Sequence, residues 1–464
     1  MDFDISGAKK IYFIGVGGSS MSSLAEIMKN RGYDVSGSDM QESHYIEHLE
    51  KAGVRCHIGQ KKENIYTEAP DIIIKTDAIA DTNPEIIAAA EKNIPVFRRA
   101  VLLGHILDGY KTTIGVAGTH GKTTTSSMIT SVMEDGVENP SAIIGGHMKR
   151  SDSSFLAGGD EVCVFESCEY KESYLHFRPT ISVITNIAED HMEYFKTLDN
   201  LLHSFRKYLD NTRPGGTVIL NAENENSQKM LSLRKYDGKI LTFGFDKGDF
   251  HTENLSCDCG LYSFDVVYGE NRTHISLSIP GKHNVVNATA AFAAAYTYGI
   301  PAEKIVAGLK KFTGVGRRFE YYCKVNGAVI ADDYAHHPDA YKVTLDTARS
   351  LGFKRVIAIH QPHTFSRTKM LMKEFVEVLS QFDHVIVTPI YAARETNDDY
   401  HIYAEDVVKN LPNAEYIPDY TSVAHRVKEM ARPGDIFITL SCGDIYRCAE
   451  EITRLYGEEK FLKF

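Results

Sequence analysis

Eight consecutive residues, Gly118 to Thr125, combine glycines, a lysine and hydroxyl groups in the order Gly-Thr-His-Gly-Lys-Thr-Thr-Thr. They follow the β-branched segment 112–116 and precede residues 126–133, whose apolar spacing predicts a helix. A strand that feeds a glycine turn and then a helix directs backbone N–H groups and the positive helix end at one point, where a polyphosphate can bind. Lys122 would reach the β- and γ-phosphates, and the Thr123 hydroxyl would bind Mg²⁺.

This loop departs from the strict Walker pattern. That pattern has a glycine five residues before Gly121, and Val116 occupies the position here. A shortened phosphate loop and a simple connection between strand and helix both remain open on these residues. The Gly-Lys-Thr sequence at a helix start favours nucleotide binding.

A second glycine-rich turn lies near the N-terminus. The predicted strand 11–14 runs into the turn 15–20 and a helical pattern, and a second strand ends at Asp39, 24 residues after Gly15. This is close to the dinucleotide-binding arrangement, although Ser20 stands where a third glycine is expected. A diphosphate bound at the helix start and an ordinary α/β turn are both compatible with these residues.

Acidic residues and a histidine follow two further predicted strands. Glu166 and Glu169 come after the strand 162–165, and the cluster 189–191 (Glu-Asp-His) comes after the strand 181–185. Open parallel sheets bind ligands at the carboxyl ends of their strands. We therefore expect these side chains at a ligand-binding edge.

The composition limits the classes of function. A length of 464 residues predicts about three domains. The net charge of −11, without a long basic segment, argues against nucleic acid as the main partner. No apolar segment approaches about 18 residues and the N-terminus is polar, so we expect no export signal, no membrane span and a cytoplasmic location. Eight scattered cysteines fit a reducing compartment, and the Cys257/Cys259 pair predicts a surface hairpin rather than a zinc site.

Strands and helices alternate along the whole chain, which predicts an α/β protein. We divide it into three domains, at residues 1–107, 108–314 and 315–464. The central domain should carry a parallel sheet with an antiparallel patch over residues 243–278, where alternation and turns are frequent. The last domain again shows a doubly wound pattern.

Four motifs occur in order along the chain. They are the turn and strand at 13–39, the loop 118–125, the segment 281–288 (Gly-Lys-His-Asn-Val-Val-Asn-Ala) and the segment 332–338 (Asp-Asp-Tyr-Ala-His-His-Pro). Together they closely resemble the Mur ligases of peptidoglycan synthesis, and the resemblance extends from about residue 11 to 446. It implies an N-terminal Rossmann-like domain that binds UDP, a central domain like a P-loop ATPase and a C-terminal Rossmann-like domain.

The resemblance implies ATP-dependent amide bond formation. It is nearest to the members that join L-alanine to the lactyl carboxylate of UDP-N-acetylmuramate through an acyl phosphate. A carboxylate is a poor electrophile, and phosphorylation supplies a leaving group. Lys122 and Mg²⁺ would offset the repulsion between the two anions. The implied partners are UDP-N-acetylmuramate, L-alanine and ATP, and we expect a monomer or a homodimer.

The resemblance also carries roles onto single residues. Catalytic roles fall on Lys122, His191 and Arg318. The residues expected to bind ATP are Gly118, Thr119, His120, Gly121, Lys122, Thr123, Thr124, Asn284, Asn287, Arg318 and Asp333. The residues expected to contact the UDP-sugar are Gly15, Gly17, Gly18, Ser19, Ser20 and Asp39. The expected metal ligands are Thr123, Glu169 and His191, and the expected amino-acid contacts are Tyr334, His336 and Arg367.

Some of these positions have other interpretations. Glu169 could be a surface acid at a strand end, Asn284 could cap a helix, and His337 could fix the loop before Pro338. Two residues depart from the family pattern. Thr364 stands where many relatives have a second arginine, which leaves Arg367 to hold the amino-acid carboxylate through a bidentate pair. Cys168 stands where an aspartate is frequent.

Other functions remain open from the sequence. The nearest is a murein-peptide recycling ligase, which joins a tripeptide to the same sugar nucleotide and should differ only in the amino-acid pocket. A nicotinamide-dependent oxidoreductase would explain residues 15–39 but not the loop 118–125. A regulatory module without chemistry would lack Lys122, Glu169 or His191, and all three are present.

Overall fold

The computed structural model describes residues 3–148, 153–393 and 395–458. They form three mainly parallel sheets, one after another along the chain. The prediction of a three-domain α/β fold is confirmed, while the domain limits stay predictions. The chain also divides into two compact units, Met1–Thr252 with Val266–Thr273 and Asn287–Leu309, and Glu253–Asp265 with His274–Val286 and Lys310–Phe464.

The first sheet is entirely parallel and is covered by helices. Its elements are β1 (Lys10–Ile14), α1 (Ser19–Asn30), β2 (Asp34–Asp39), α2 (His44–Lys51), β3 (Arg55–Ile58), α3 (Lys62–Glu68), β4 (Ile72–Lys75), α4 (Pro84–Glu91), β5 (Val96–Arg98) and α5 (Arg99–Asp108). The strand order is β3-β2-β1-β4-β5. Residues 11–14 of the central strand are all fully buried, which explains why β1 is a continuous apolar segment.

The second sheet has β6 at its centre. Its elements are β6 (Thr112–Ala117), α6 (Lys122–Gly136), β7 (Ser141–Met148), β8 (Ser153–Leu156), β9 (Val162–Glu166), a 3₁₀ segment (Tyr170–His176), β10 (Ile181–Ile184), α7 (Met192–Phe195), α8 (Leu198–Asp210), β11 (Thr217–Asn221), α9 (Glu225–Ser232) and β12 (Lys239–Phe243). The order of these seven strands is β8-β7-β9-β6-β10-β11-β12, and three more strands continue the sheet beyond β12. The carboxyl ends of β9, β6 and β10 are therefore neighbours.

Two hairpins follow and supply the last three strands of the second sheet. The strands are β13 (Phe250–Asp258), β14 (Leu261–Tyr268) and β15 (Asn271–Pro280), and the helices after them are α10 (His283–Tyr298) and α11 (Ala302–Lys311). Two residues connect β13 to β14, and two residues connect β14 to β15. Connections as short as this join antiparallel strands. The first turn contains Cys259 and Gly260, both with positive φ. The predicted antiparallel patch and the predicted hairpin at the paired cysteines are confirmed.

The third sheet lies in the second unit. Its elements are β16 (Glu320–Val325), β17 (Ala328–Asp333), α12 (Pro338–Ser350), β18 (Arg355–His360), α13 (Phe365–Met370), α14 (Met372–Leu379), β19 (His384–Val387), α15 (Ala404–Val408), β20 (Ala414–Tyr416), α16 (Tyr420–Met430), β21 (Asp435–Leu440) and α17 (Tyr446–Tyr456). The order is β16-β17-β21-β18-β19-β20, and β16 alone runs antiparallel to its neighbour.

Asn83 and Pro84 begin the helix α4. The Asn83 side chain accepts a hydrogen bond from the Glu85 N–H at 2.9 Å, and Pro84 is the first residue of α4. Proline suits this position because the first N–H of a helix has no partner within the helix. Among the described residues, no helix combines the length and apolar character needed to span a bilayer.

Candidate active site

The loop 118–121 connects the central strand β6 to α6, and two of its residues must be glycine. Gly118 has φ 134° and Gly121 has φ 83°. A Cβ on Gly118 would lie 2.1 Å from Thr185 Oγ1, and one on Gly121 would lie 2.6 Å from Asn287 Oδ1. Thr123 and Thr124 follow as the second and third residues of α6. Backbone geometry and close packing therefore both exclude side chains at these two loop positions.

The neighbouring strand β10 holds this loop in place. The backbone N–H of His120 donates to Asn186 Oδ1 at 3.0 Å. The His120 carbonyl accepts hydrogen bonds from Thr185 Oγ1 at 2.6 Å and from Asn186 Nδ2 at 2.9 Å. The Thr119 hydroxyl accepts from the Ala188 N–H at 2.9 Å and donates to the Ala188 carbonyl at 3.1 Å. The loop is thus ordered by fixed hydrogen bonds before α6 begins.

Lys122 extends from the first position of α6 to Glu169. Its Nζ lies 3.1 Å from Oε1 and 3.0 Å from Oε2 of that carboxylate. It also donates to the carbonyls of Gly118 and Thr119. Burial opposes the charged form of Lys122 and by itself would lower its pKa. The Glu169 carboxylate and other negative groups outweigh this effect of burial, so the pKa of Lys122 lies above its usual value. The ammonium is therefore charged at neutral pH.

Glu169, Asp190 and His191 form a group whose ligand atoms all lie within 4.8 Å of one another. His191 has φ 55°, and its ring lies 4.7 Å from that of Tyr170. The Asp190 Oδ1 accepts the His191 N–H at 2.8 Å. Two carboxylates supply the hard oxygen ligands that Mg²⁺ prefers, whereas imidazole is a less usual ligand for it. The donor set therefore fits a divalent cation held mainly by oxygen.

The N-terminal turn is tied to the end of β2. Gly15 has φ 87°, and the Gly17 N–H donates to Asp39 Oδ2 at 2.9 Å. A Cβ on Gly17 would lie 3.0 Å from that same oxygen. The helix α1 begins directly after the turn and has no acidic residue in its first turn. The residues that the structure gathers here are Gly15, Gly17, Gly18, Ser19, Ser20 and Asp39.

The two predicted asparagines have different surroundings. Asn284 is the second residue of α10, and its Nδ2 donates to the Pro280 carbonyl at 2.7 Å, so it lies inside the helix and not at the cap position. Asn287 Oδ1 accepts from Thr125 Oγ1 at 3.4 Å and faces Gly121. Asn287 therefore lies against the phosphate loop.

In the second unit, Asp333 and Arg318 lie around Tyr334. The Asp333 carboxylate accepts the Phe319 N–H at 2.9 Å and the Ala335 N–H at 2.8 Å. Burial raises the pKa of Asp333, although the charge of Arg318 opposes this. The Arg318 guanidinium lies 5.1 Å from the centre of the Tyr334 ring. Asp333 thus orders the loop backbone beside Arg318.

His336 and Arg367 belong to the same unit. The His336 ring lies 5.7 Å from the Tyr334 ring and 6.5 Å from the His363 ring. Burial, helped by the positive charge of Arg367, lowers the pKa of His363 to about 4. Thr364, with φ 64°, caps α13 by accepting the Arg367 N–H at 3.3 Å. Thr364, which stands where many relatives have a second arginine, thus caps the helix that carries Arg367.

Sequence reasoning gave no role to two residues that the structure places here. Asp190 joins Glu169 and His191, and its position beside His191 in sequence was the available signal. Arg99 donates to Ser20 Oγ at 2.8 Å. These two residues are 79 positions apart, so no local pattern could indicate their contact.

Three protein-family domains match successive parts of the chain. Residues 10–111 match the Mur ligase family, catalytic domain; residues 116–295 match the Mur ligase middle domain; and residues 317–443 match the Mur ligase, glutamate ligase domain. The chain belongs to the Mur ligase family. Mur ligases depend on ATP, which agrees with a glycine loop at the start of α6.

Relatives of this Mur ligase match over nearly the full length. The UDP-N-acetylmuramate–L-alanine ligase of Agathobacter rectalis is 40% identical, with 97% of this chain and 99% of that protein covered. The enzyme of the same name from Caldicellulosiruptor saccharolyticus is 42% identical, with 96% and 98% covered.

Solved Mur ligase structures share the fold. The UDP-N-acetylmuramate–alanine ligase of Thermotoga maritima superposes with a TM-score of 0.82 at 29% identity, covering 96% of this chain and 98% of that one. A murein peptide ligase of Psychrobacter arcticus has a TM-score of 0.76 at 23% identity, covering 97% and 99%. The second similarity concerns the fold alone.

Proposed function

We propose that this protein is an ATP-dependent ligase that joins L-alanine to the lactyl carboxylate of UDP-N-acetylmuramate, in peptidoglycan synthesis. The observation that carries the proposal is the ion pair of Lys122 with Glu169, a carboxylate that is grouped with Asp190 and His191, at the carboxyl ends of β6, β9 and β10. The reaction brings two anions together. A fixed cation beside acids that would bind a metal offsets the repulsion between them. The choice of substrates is supported by full-length relatives at 40% and 42% identity.

In the first step, an oxygen of the lactyl carboxylate attacks the γ-phosphorus of ATP, and ADP leaves. The backbone of the loop 118–121 and the start of α6 bind the phosphates, and Lys122 stabilises the negative charge on the transferred group. We propose that Asn287 and Arg318 also contact ATP, and that Asp333 contacts its ribose. The products of this step are ADP and an acyl phosphate.

In the second step, the amino group of L-alanine attacks the acyl carbon, and inorganic phosphate leaves with one former carboxylate oxygen. We propose that Tyr334, His336 and Arg367 bind the amino acid. The planar guanidinium of Arg367 suits a bidentate pair with its carboxylate. His191 is proposed to act near the acyl-phosphate group.

Glu169, Asp190 and His191, with the Thr123 hydroxyl, are the residues that would hold Mg²⁺. When bound there, Mg²⁺ neutralises part of the negative charge of the triphosphate. Lys122 supplies a second positive charge from the protein itself. In the structure its ammonium is already held next to the Glu169 carboxylate.

The remaining assignments follow from this function. We propose that residues 1–107 bind the UDP-sugar through Gly15 to Ser20 and Asp39, that residues 108–314 bind ATP, and that residues 315–464 bind the amino acid. A cytoplasmic location is supported by the use of ATP and by the eight cysteines, all of which are free thiols. The protein would act as a monomer or a homodimer.

The test is phosphate release by the purified protein with ATP, Mg²⁺ and UDP-N-acetylmuramate, with one amino-acid substrate added at a time. We expect release with L-alanine and little without it. Release with the tripeptide of murein recycling but not with L-alanine would refute the proposed substrate and favour the recycling ligase. Release that does not require the sugar nucleotide would refute the ligase assignment.

A further inference from the structure

Lys171 extends from the segment that carries Glu169 to the edge of the N-terminal sheet. Its Nζ donates to the Asp77 backbone carbonyl at 3.3 Å. Asp77 lies in the loop directly after β4. Thr76 in the same loop packs against the N-terminal glycine turn, because a Cβ on Gly15 would lie 2.8 Å from Thr76 Cγ2. The Lys171 ammonium therefore lies at the loop that borders this turn.

The same segment also contacts the site proposed for phosphate transfer. The Tyr170 ring lies 4.7 Å from the His191 ring, and the Lys171 ammonium lies 5.5 Å from the centre of the Tyr170 ring. Glu169 accepts a hydrogen bond from Lys122 Nζ at 3.1 Å. One short segment of the first unit thus connects the N-terminal turn to the phosphate loop.

The positive charge of Lys171 has no carboxylate partner in the part of the chain that the structure describes. The Asp77 carboxylate accepts a hydrogen bond from Arg98 Nε at 2.6 Å. The carboxylate of Glu172, the next residue, accepts one from Lys207 Nζ at 3.4 Å. Lys171 is half-buried, and its ammonium contacts only an uncharged carbonyl and the face of a ring. An anion at this place would therefore gain a charge-assisted contact.

The backbone fixes the direction in which Lys171 points. Lys171 and Glu172 have φ values of 50° and 55°, in the left-handed region that residues with a side chain seldom adopt. Arg98 Nη2 donates to the Lys171 carbonyl at 3.3 Å, and the Glu172 N–H donates to the Glu169 carbonyl at 2.9 Å. Strained residues that the surroundings hold in place occur mainly at functional sites. The strain here directs Lys171 toward the N-terminal sheet while Glu172 pairs elsewhere.

We propose that Lys171 binds the lactyl carboxylate of UDP-N-acetylmuramate. The inference rests on the proposed function and names a residue for the group that attacks ATP. A sugar nucleotide at the N-terminal turn must extend its carboxylate toward Lys122, and Lys171 belongs to the segment that connects these two places. Its ammonium pairs with one carboxylate oxygen and lowers the repulsion from the triphosphate, and the other oxygen stays free to attack the γ-phosphorus. Lys171 keeps its protons and forms no covalent bond.

The test compares two sugar nucleotides, UDP-N-acetylmuramate and UDP-N-acetylglucosamine, which lacks the lactyl group. Calorimetry with the full-length protein measures the affinity for each. Lys171→Gln should weaken binding of UDP-N-acetylmuramate by about tenfold or more, because a charge-assisted contact is lost, and should leave UDP-N-acetylglucosamine binding unchanged. Lys171→Arg, which keeps the charge, should retain most of the affinity. In turnover, Lys171→Gln should raise the KM for the sugar nucleotide more than it lowers kcat.

The matched control is Lys92→Gln. The Lys92 ammonium also lies 5.5 Å from the centre of a tyrosine ring, that of Tyr66, but the residue is exposed at the end of α4. This variant should bind both sugar nucleotides like the wild type.

Equal losses of affinity for the two sugar nucleotides in Lys171→Gln would overturn the proposal, because Lys171 would then only support the fold. Unchanged binding of UDP-N-acetylmuramate would overturn it too. So would a Lys171→Arg variant that binds this ligand as weakly as Lys171→Gln, since the charge would not be the cause. A wild-type protein that binds neither sugar nucleotide would instead refute the proposed function itself.

Discussion

Lys122 and Glu169 form an ion pair in which the ammonium nitrogen lies 3.1 Å and 3.0 Å from the two carboxylate oxygens. The Glu169 side chain is 2% exposed and that of Lys122 is 16% exposed. Removing one partner of such a pair leaves a buried charge without compensation. The pair therefore couples the stability of the phosphate loop to its chemistry.

Replacing Lys122 should separate phosphate transfer from sugar binding. We expect Lys122→Ala to lower phosphate release by about 10²-fold or more, because a charge that stabilises the transferring group is lost. UDP binding should be retained, since the N-terminal turn is a separate site. The control is Lys111→Ala, an exposed lysine that pairs with Glu161 just before β6. Full turnover in Lys122→Ala would contradict the assignment.

The same substitution should also lower the melting temperature, because it leaves Glu169 unpaired. Adding Glu169→Gln to Lys122→Ala should recover part of that loss without restoring activity. Thermal unfolding of the two single variants and the double variant provides the measurement. Strictly additive losses would show that the pair contributes nothing to stability.

Asp190 should matter for the metal requirement. We expect Asp190→Asn to raise the Mg²⁺ concentration for half-maximal phosphate release roughly tenfold, because a charged ligand is lost. Removal of divalent cations by a chelator should stop release in the wild type. Asp160→Asn, at an exposed position before β9, provides the control. Identical Mg²⁺ titrations for both variants would remove Asp190 from the site.

Gly121 should not tolerate a side chain. Alanine at φ 83° costs roughly 1–2 kcal/mol, and its Cβ would lie 2.6 Å from Asn287 Oδ1. We expect Gly121→Ala to lower the melting temperature and to raise the KM for ATP. Gly7→Ala, where no atom lies within 4 Å of the new Cβ, should do neither. Equal behaviour of the two variants would show that the loop is not constrained as described.

His360 should make the second unit sensitive to acid. Burial lowers the pKa of His360 to about 3, whereas the unfolded chain has a value of about 6.5. The unfolded state therefore binds the proton first, and stability is lost as the pH falls from 6.5 toward 3. Between pH 7 and pH 5 this loss should be about 2 kcal/mol.

Hydrogen exchange of the β18 amides at these two pH values measures the effect. His360→Gln, which can still contact the Tyr341 hydroxyl, should show a smaller difference between pH 7 and pH 5 than the wild type. The Tyr341 hydroxyl lies 2.7 Å from His360 Nδ1 in the wild type. An equal difference in the variant would assign the acid sensitivity to other groups.

Local sequence patterns predicted strands and helices well where an apolar segment of the sequence is also buried in the fold. Residues 11–14 are apolar and fully buried, and they form β1 as expected. Asn83 and Pro84 are ambiguous in sequence, because the same residue types begin turns and helices and only the capping bond to Glu85 decides between them.

The site was predictable only in part. The loop 118–121 is recognisable because its glycines are required by its backbone. The meeting of Lys122 with Glu169 depends on the pairing of β6 with β9, which aligns Val116 with Glu166. Strand order is a tertiary property, and so is the contact of Arg99 with Ser20. Neither leaves a periodic signal in the sequence.

The central claim is that the sugar carboxylate is phosphorylated and then joined to L-alanine. The most direct measurement uses UDP-N-acetylmuramate with ¹⁸O in both lactyl carboxylate oxygens, together with ATP, Mg²⁺ and L-alanine. Mass spectrometry should find one ¹⁸O in the inorganic phosphate and one in the amide of the product, because the acyl phosphate loses its bridging oxygen with the phosphate. Unlabelled phosphate, or a product without L-alanine, would contradict the account.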